Sequence, residues 1–122
     1  KLVSESCFYA GLPKIEITYN GHSLQPWRPK AVYHYVQDRY VNPDFVIDVT
    51  DFIEKKLDSI RAYASQFYNP NSVEPQTPIS SPEFIETVIA KTRIYGRTIG
   101  VQYAEGFQAD RTPGVDSLFN LL

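Results

Sequence analysis

The chain has 122 residues, 43% of them hydrophobic, 21% charged and 14% aromatic, with a net charge of −2 and a pI near 5.6. That length suits one domain and the apolar share excludes wholesale disorder. No apolar run approaches the roughly 20 residues of a membrane helix, and the acidic balance argues against a nucleic-acid surface, which needs a basic face. A lone cysteine, Cys7, forms no internal disulfide, and with no charged-then-apolar signal segment this points to a cytoplasmic protein with no membrane or nucleic-acid partner.

The chain contains no methionine and opens at Lys1 on an apolar pattern already under way (Leu2, Val3, Cys7, Phe8, Ala10), near helical spacing. Either the N-terminus is processed, or the chain is the C-terminal piece of something longer. The spacing predicts an opening helix that ends near Gly11, with Gly11 as its left-handed C-terminal residue and Pro13 just beyond. Residues 14–19 suggest a short strand or extended arm, and Asn20-Gly21 a turn. Two prolines around Trp27 and Arg28 predict irregular extended backbone. Residues 31–37 alternate as a strand, with Val32, His34 and Val36 on one side. Residues 45–49 read as a strand buried on both faces.

An amphipathic helix follows, capped at Thr50 or Asp51, with Asp51 and Glu54 at capping-box spacing. Its apolar stripe (Ile53, Leu57, Ile60, Ala64, Phe67) carries it to about Phe67. Residues 68–80 form a loop long enough to suspect a job or an interface. Ser81-Pro82-Glu83 predicts the next helix start, with Ile85, Val88, Ile89, Tyr95 and Ile99 inward. Gly96 inside it implies close packing, and Gly100 ends it. Residues 101–107 are extended, 109–114 a turn-rich tail, and the apolar residues of 115–122 must dock. Two strands with helices fit an α/β layer with part of its sheet missing.

Chemistry-bearing motifs are scarce. The two histidines, His22 and His34, lack metal-ligand spacing. His22 sits in an exposed turn and His34 is a packed or partner-facing strand residue. Cys7 lies on an apolar stripe, where a thiol behaves as a small hydrophobe. No phosphate-binding glycine loop or nucleophile elbow occurs, and nothing brings together a carboxylate pair such as Glu105 and Asp110. Arg28, in a rigid Trp-Arg-Pro segment before a strand, can bind a carboxylate through two parallel hydrogen bonds. The plain alternative is a solvated arginine. Tyr103-Ala104-Glu105-Gly106-Phe107 either lines a pocket or anchors the C-terminal segment.

Taken in order, several segments resemble the C-terminal half of the LmbE-like (PIG-L) zinc deacetylases. They are Lys1-Leu2-Val3, Ala10-Gly11, Arg28 ahead of Tyr33-x-Tyr35, Pro43-x-Phe45-x-Ile47-Asp48, Tyr63-Ala64-Ser65-Gln66-Phe67, Thr77-Pro78, Glu86-Thr87-Val88-Ile89-Ala90, and Gly100-Val101-x-Tyr103-Ala104-Glu105-Gly106-Phe107. The resemblance implies that residues 1–122 are the C-terminal portion of a single Rossmann-like α/β deacetylase domain, contributing two strands and three to four helices. It implies a zinc cofactor held by A-H-P-D-D and H-P-D-H motifs that this sequence lacks, so the metal ligands and general base are expected upstream and the piece alone is expected to be inactive. The implied reaction is hydrolytic removal of acetate from an N-acetylglucosamine conjugate, N-acetylglucosaminyl-malate in bacillithiol biosynthesis, by a homo-oligomer (trimer or hexamer).

Residue by residue, the resemblance gives Arg28 a substrate contact at the active-site rim, where the malate carboxylates call for an arginine. It puts Gln66 behind the residues that touch substrate. Phe84 stands where relatives can carry a tyrosine whose hydroxyl stabilises the oxyanion, a role phenylalanine cannot fill. The loop before Phe84 is one residue longer than in relatives, and residues 14–26 are also longer. Two rivals remain: a non-catalytic aromatic-rich sugar- or peptide-binding module, drawing on nine tyrosines and one tryptophan, and an oligomerisation module using residues 68–80.

Overall fold

The opening helix α1 (Leu2–Tyr9) forms as its spacing predicts, yet it buries nothing, with Leu2 78% exposed. Its apolar stripe is an uncovered face, which corrects the expectation of a packed one. The structure, a computed structural model, describes residues 1–63, 66, 67, 75 and 77–121. Gly11 also departs from expectation. The helix runs on through a right-handed Ala10, and among the glycines only Gly21 and Gly100 have positive φ. Gly11 is small for another reason: a Cβ there would lie 2.6 Å from the Nε of Arg28.

Asn20 (φ 50°) and Gly21 (φ 77°) join β1 (Thr18–Tyr19) to β2 (His22–Ser23). Positive φ at both central residues is the turn that matches strand twist in a two-residue hairpin. A second sheet has three strands, β3 (Tyr33–Tyr35), β4 (Phe45–Asp48) and β5 (Ala104–Ala109), in the order β3-β5-β4 with both pairings antiparallel. The expected count of two strands is therefore too low. Residues 104–109 are the central strand of the sheet, not a plain extended segment. Nor is β4 buried on both faces: it is an edge strand, with Ile47 48% exposed.

A 3-10 turn (Thr50–Phe52) leads into helix α2 (Ile53–Arg61). The Asp51–Glu54 capping box does not form. Instead the Asp48 carboxylate accepts the Thr50 backbone N–H at 2.9 Å, and hydrogen bonding from Thr50, first through its side chain and then through its backbone, draws the Asp48 pKa below the ordinary value. α2 stops at Arg61, short of Phe67; Ala64, expected on its stripe, lies outside the described residues. Of the 68–80 loop, only Pro75 and 77–80 are described. Thr77 and Ser80 cap each other's backbone around the 3-10 turn Pro78–Ser80. That turn displaces the next helix start, and Ser81 O accepts the Phe84 N–H, so α3 is Phe84–Thr98 and begins later than Ser81-Pro82-Glu83 suggests.

Ile53 and Leu57 of α2 pack with Val88 of α3 as the buried core, flanked by Ile60, Phe84, Ile85, Ile89 and Tyr103. α3 lies on the sheet through Tyr95, whose ring comes within 3.0 Å of where a Gly106 Cβ would be. Tyr95 also donates its hydroxyl to Val41 O at 2.9 Å and stacks on Tyr40. Side chains alternate along a strand, so Phe107 points away from Tyr95. On that side Phe45 stacks on Phe107 with centroids 5.3 Å apart, and Tyr33 meets Phe45 edge-on at 5.2 Å. Gly100 (φ 75°) closes α3 as expected. The described C-terminal apolar residues do not dock: Phe119 is 98% exposed, and Leu118 and Leu121 are exposed with it; Leu122 lies outside the described residues. The chain is thus a small α/β domain with two sheets and, among the described residues, three α-helices; none of these is long and apolar enough to cross a membrane.

Candidate functional site

A groove of about 630 Å³ opens between α2, α3 and the end of β3. That volume falls in the range of small-molecule sites. Its aromatic wall comes from Phe67 and Phe84, stacked at 5.1 Å and 20°, with Tyr63 and Tyr35 nearby. Phe67 is carried there by the turn after α2, where its N–H bonds to Tyr63 O at 3.1 Å.

Two lysines supply the positive charge. Lys56 sits one residue before Leu57 on α2 and reaches Glu105 of β5 in an ion pair. Lys91, three residues after Val88 on α3, donates to Gln37 O and, at 3.3 Å, to Asp38 O. Both lysines and Glu105 line the groove, and the same groups surround a smaller cavity of about 30 Å³ with Tyr35 and Tyr95. Burial chiefly, then repulsion from Lys56, lowers the Lys91 pKa, while Asp38 and Glu105 pull it back up.

Several of the segments singled out in the sequence, far apart in the chain, converge here. Tyr35, Phe67, Phe84, Thr87, Val88 and Glu105 all line this one groove. Phe84, which the resemblance marks as a departure from the family's tyrosine, is thus on the wall of this groove. Gln66 sits beside it in the same turn, its N–H bonded to Tyr63 O at 2.9 Å, and is exposed. Arg28 is elsewhere. Its guanidinium donates to Phe8 O at 3.1 Å and lies 4.6 Å from the centroid of the Phe8 ring, and it does not line the groove. Glu105 and Asp110, named as a carboxylate pair, go separate ways: Glu105 to Lys56, Asp110 to His34.

His34 is neither a lone packed residue nor a triad member. Its Nε2 lies 3.0 Å from Asp110 Oδ1 and 3.1 Å from Ser4 Oγ, and the Ser4 hydroxyl donates to the same Asp110 oxygen at 3.1 Å. A triad needs its acid and its nucleophile on opposite ring nitrogens. Here both meet one nitrogen, so the cluster fastens α1 to the sheet edge and does not activate a nucleophile. Cys7 is half-buried on α1.

Sequence reasoning missed both lysines. The signal was present: Lys56 adjoins the Ile53–Leu57 stripe and Lys91 continues the Val88 stripe, so each interrupts an apolar face with a charge.

No family model matches the chain. Its fold is similar to the crystal structure of the conserved protein TT1542 from Thermus thermophilus, with a TM-score of 0.74 and 24% identity, covering 96% of this chain and 46% of that one. The chain thus spans about half the length of that protein, and the likeness establishes an α/β fold.

Proposed function

We propose that this chain is the substrate-side wall of an LmbE-like deacetylase of Rossmann-like fold. The intact enzyme is a cytoplasmic homo-oligomer that hydrolyses N-acetylglucosaminyl-malate, in bacillithiol biosynthesis, to the free amine and acetate. What supports the reading is convergence: segments matched to that family at separate places in the sequence line one groove of suitable size.

In this reading the chain's own residues bind and orient. Phe67 and Phe84 present an aromatic wall on which a sugar ring can stack, and their apolar rings keep water from that side. Gln66, exposed in the turn beside Phe67, steadies that wall. Arg28, held by Phe8 on the last turn of α1 outside the groove, enters the reading as a rim contact on the resemblance alone. Phe84 has no hydroxyl to donate, so the reading assigns oxyanion stabilisation to another group.

The family's zinc does not fit the residues described here. A zinc site takes three or four ligands, and among the described residues no three His, Cys, Asp or Glu come together. The ligands are therefore proposed to lie on polypeptide preceding Lys1, and no step is derived through the metal.

The test is the protein encoded by the complete gene, incubated with N-acetylglucosaminyl-malate, with free amine measured by fluorescent labelling. Release that is lost on chelation and restored by zinc is the expected result. No release, from a gene with no H-P-D-H before Lys1, would overturn the reading. A second reading, a non-catalytic sugar-binding module, draws on the same aromatic wall and would show itself as binding of the conjugate without amine release.

A further inference from the structure

Asn20 and Gly21 form the tip of the β1–β2 hairpin, and residues 18–23 are exposed throughout. An asparagine amide carbon is open to attack by the next backbone nitrogen when that nitrogen is uncrowded and the chain between them can rotate. Here the nitrogen belongs to a glycine. A Cβ on Gly21 would meet nothing within 4 Å, and among the described residues its N–H donates to no backbone carbonyl. The hairpin is also slight. It has two residue pairs, Thr18–Ser23 and Tyr19–His22, and one further bond from Leu24 N–H to Ile17 O at 2.8 Å. It forms a sheet separate from the three-stranded one. An isolated two-stranded ribbon is marginally stable in water, so it opens without disturbing the core.

We infer that Asn20 is a site of spontaneous covalent modification, converted to aspartate and isoaspartate while the hairpin is open. A base in solution takes the Gly21 N–H proton, and the nitrogen bonds to Asn20 Cγ. The Cγ–Nδ2 bond breaks, and the side-chain nitrogen leaves as ammonia with that proton. Water then opens the five-membered imide, giving its hydroxyl to one carbonyl carbon and a proton to the nitrogen. Attack at Cγ yields aspartate; attack at the backbone carbon yields isoaspartate. Either product ionises and adds one negative charge to a net charge of −2. Isoaspartate also routes the main chain through Cβ, which lengthens a two-residue turn and undoes the register of β1 and β2.

The other asparagines lack this arrangement. Asn42 and Asn69 precede prolines, which have no N–H to give up. Asn71 precedes Ser72, whose side chain crowds the nitrogen. Asn120 precedes Leu121, and its amide donates to Asp116 at 2.6 Å.

The experiment incubates the protein in warm neutral buffer, beside a sample kept unfolded in guanidinium chloride. Peptide mass spectrometry locates the amide-to-acid change, and methyl transfer by a protein isoaspartyl methyltransferase counts isoaspartate. Acid is expected at Asn20 ahead of every other asparagine. In the native sample its rate should fall within about tenfold of the unfolded rate, as a hairpin open for about a tenth of the time allows. Gly21→Ala should slow conversion about tenfold or more, since it crowds the nitrogen and stiffens the backbone. Thr18→Cys with Ser23→Cys, in a Cys7→Ala background, cross-links the pair that faces across the hairpin. The oxidised form should convert about tenfold more slowly or less than that, and reduction should restore the rate, so the same protein is its own control for folding.

A native sample that keeps its Asn20 amide while the unfolded one converts would overturn the inference. So would an unfolded sample that does not convert, earlier conversion at another asparagine, or a cross-linked hairpin that reacts as fast as the reduced one.

Discussion

Replacing Gly96 with alanine sets two forces against each other. In a helix interior alanine is favoured over glycine by about 1 kcal/mol, so propensity alone says that Gly96→Ala stabilises α3. Packing says the opposite. A Cβ on Gly96 would lie 2.7 Å from Val101 O and 3.0 Å from both the carbonyl carbon and oxygen of Gln102. These are backbone atoms of the turn that closes the helix, where Val101 donates its N–H back to Gly96 O at 3.0 Å. No side chain can rotate away, so helix and turn must part, an overpacking cost of about 1–3 kcal/mol. Rigid backbone on the far side puts the cost in the upper half of that range, leaving a net loss of about 1–2 kcal/mol after the propensity gain. Urea unfolding should show a lower midpoint at unchanged slope. Ala90→Gly, at an exposed α3 position, calibrates propensity alone and should lose about 1 kcal/mol. A Gly96→Ala protein as stable as the parent, beside an Ala90→Gly protein that loses its share, would refute the packing argument.

Two further outcomes follow from contacts described above. Gly11→Ala forces a Cβ to within 2.6 Å of Arg28 Nε and 2.8 Å of its Cβ, so Gly11→Ala should destabilise much less in an Arg28→Gly background, which removes both atoms, than alone; additive losses in that double-mutant cycle would show that the two residues do not press on each other. Tyr95→Phe removes the hydrogen bond to Val41 and should cost about 1 kcal/mol at neutral pH. Burial raises the Tyr95 pKa above 10.0, so the folded state holds that proton longer than the unfolded chain does. Its contribution is complete below pH 10.0 and fades as pH climbs through the folded value, so denaturation followed into alkali should lose stability less steeply in the phenylalanine variant, and an unchanged slope would count against the burial.

What the sequence made legible was whatever depends on near neighbours. Asn20-Gly21, Gly100, the Ile53–Leu57 stripe and the inward positions of α3 all act within a turn or two, and all stand where their spacing puts them. What escaped was set by distant partners. Residues 104–109 include two alanines, a glycine and no β-branched residue, a poor strand by propensity. They form the central strand because Gly106 lets Tyr95 press onto it and because β3 and β4 both pair with it. Gly11 has the signature of a helix end, but its smallness serves a side chain 17 positions on, in Arg28. Of the expected site residues, Phe84 reached the groove because a helix stripe carries it there. The rest of the groove depends on lysine stems long enough to cross from two helices to β5 and to the end of β3, a reach that no local pattern encodes.

The strand order β3-β5-β4 also fixes a schedule for the nascent chain. β3 and β4 are synthesised early and have no pairing with each other; every ladder in that sheet waits for residues 104–109. On the ribosome both must stay unzipped until that stretch leaves the exit tunnel, and a stop codon between Asp48 and Ala104 would strand two lone ribbons with exposed aromatic rings. Late closure of this kind slows folding and lengthens the window for aggregation, so chaperone capture during translation should fall away only once Ala109 has emerged.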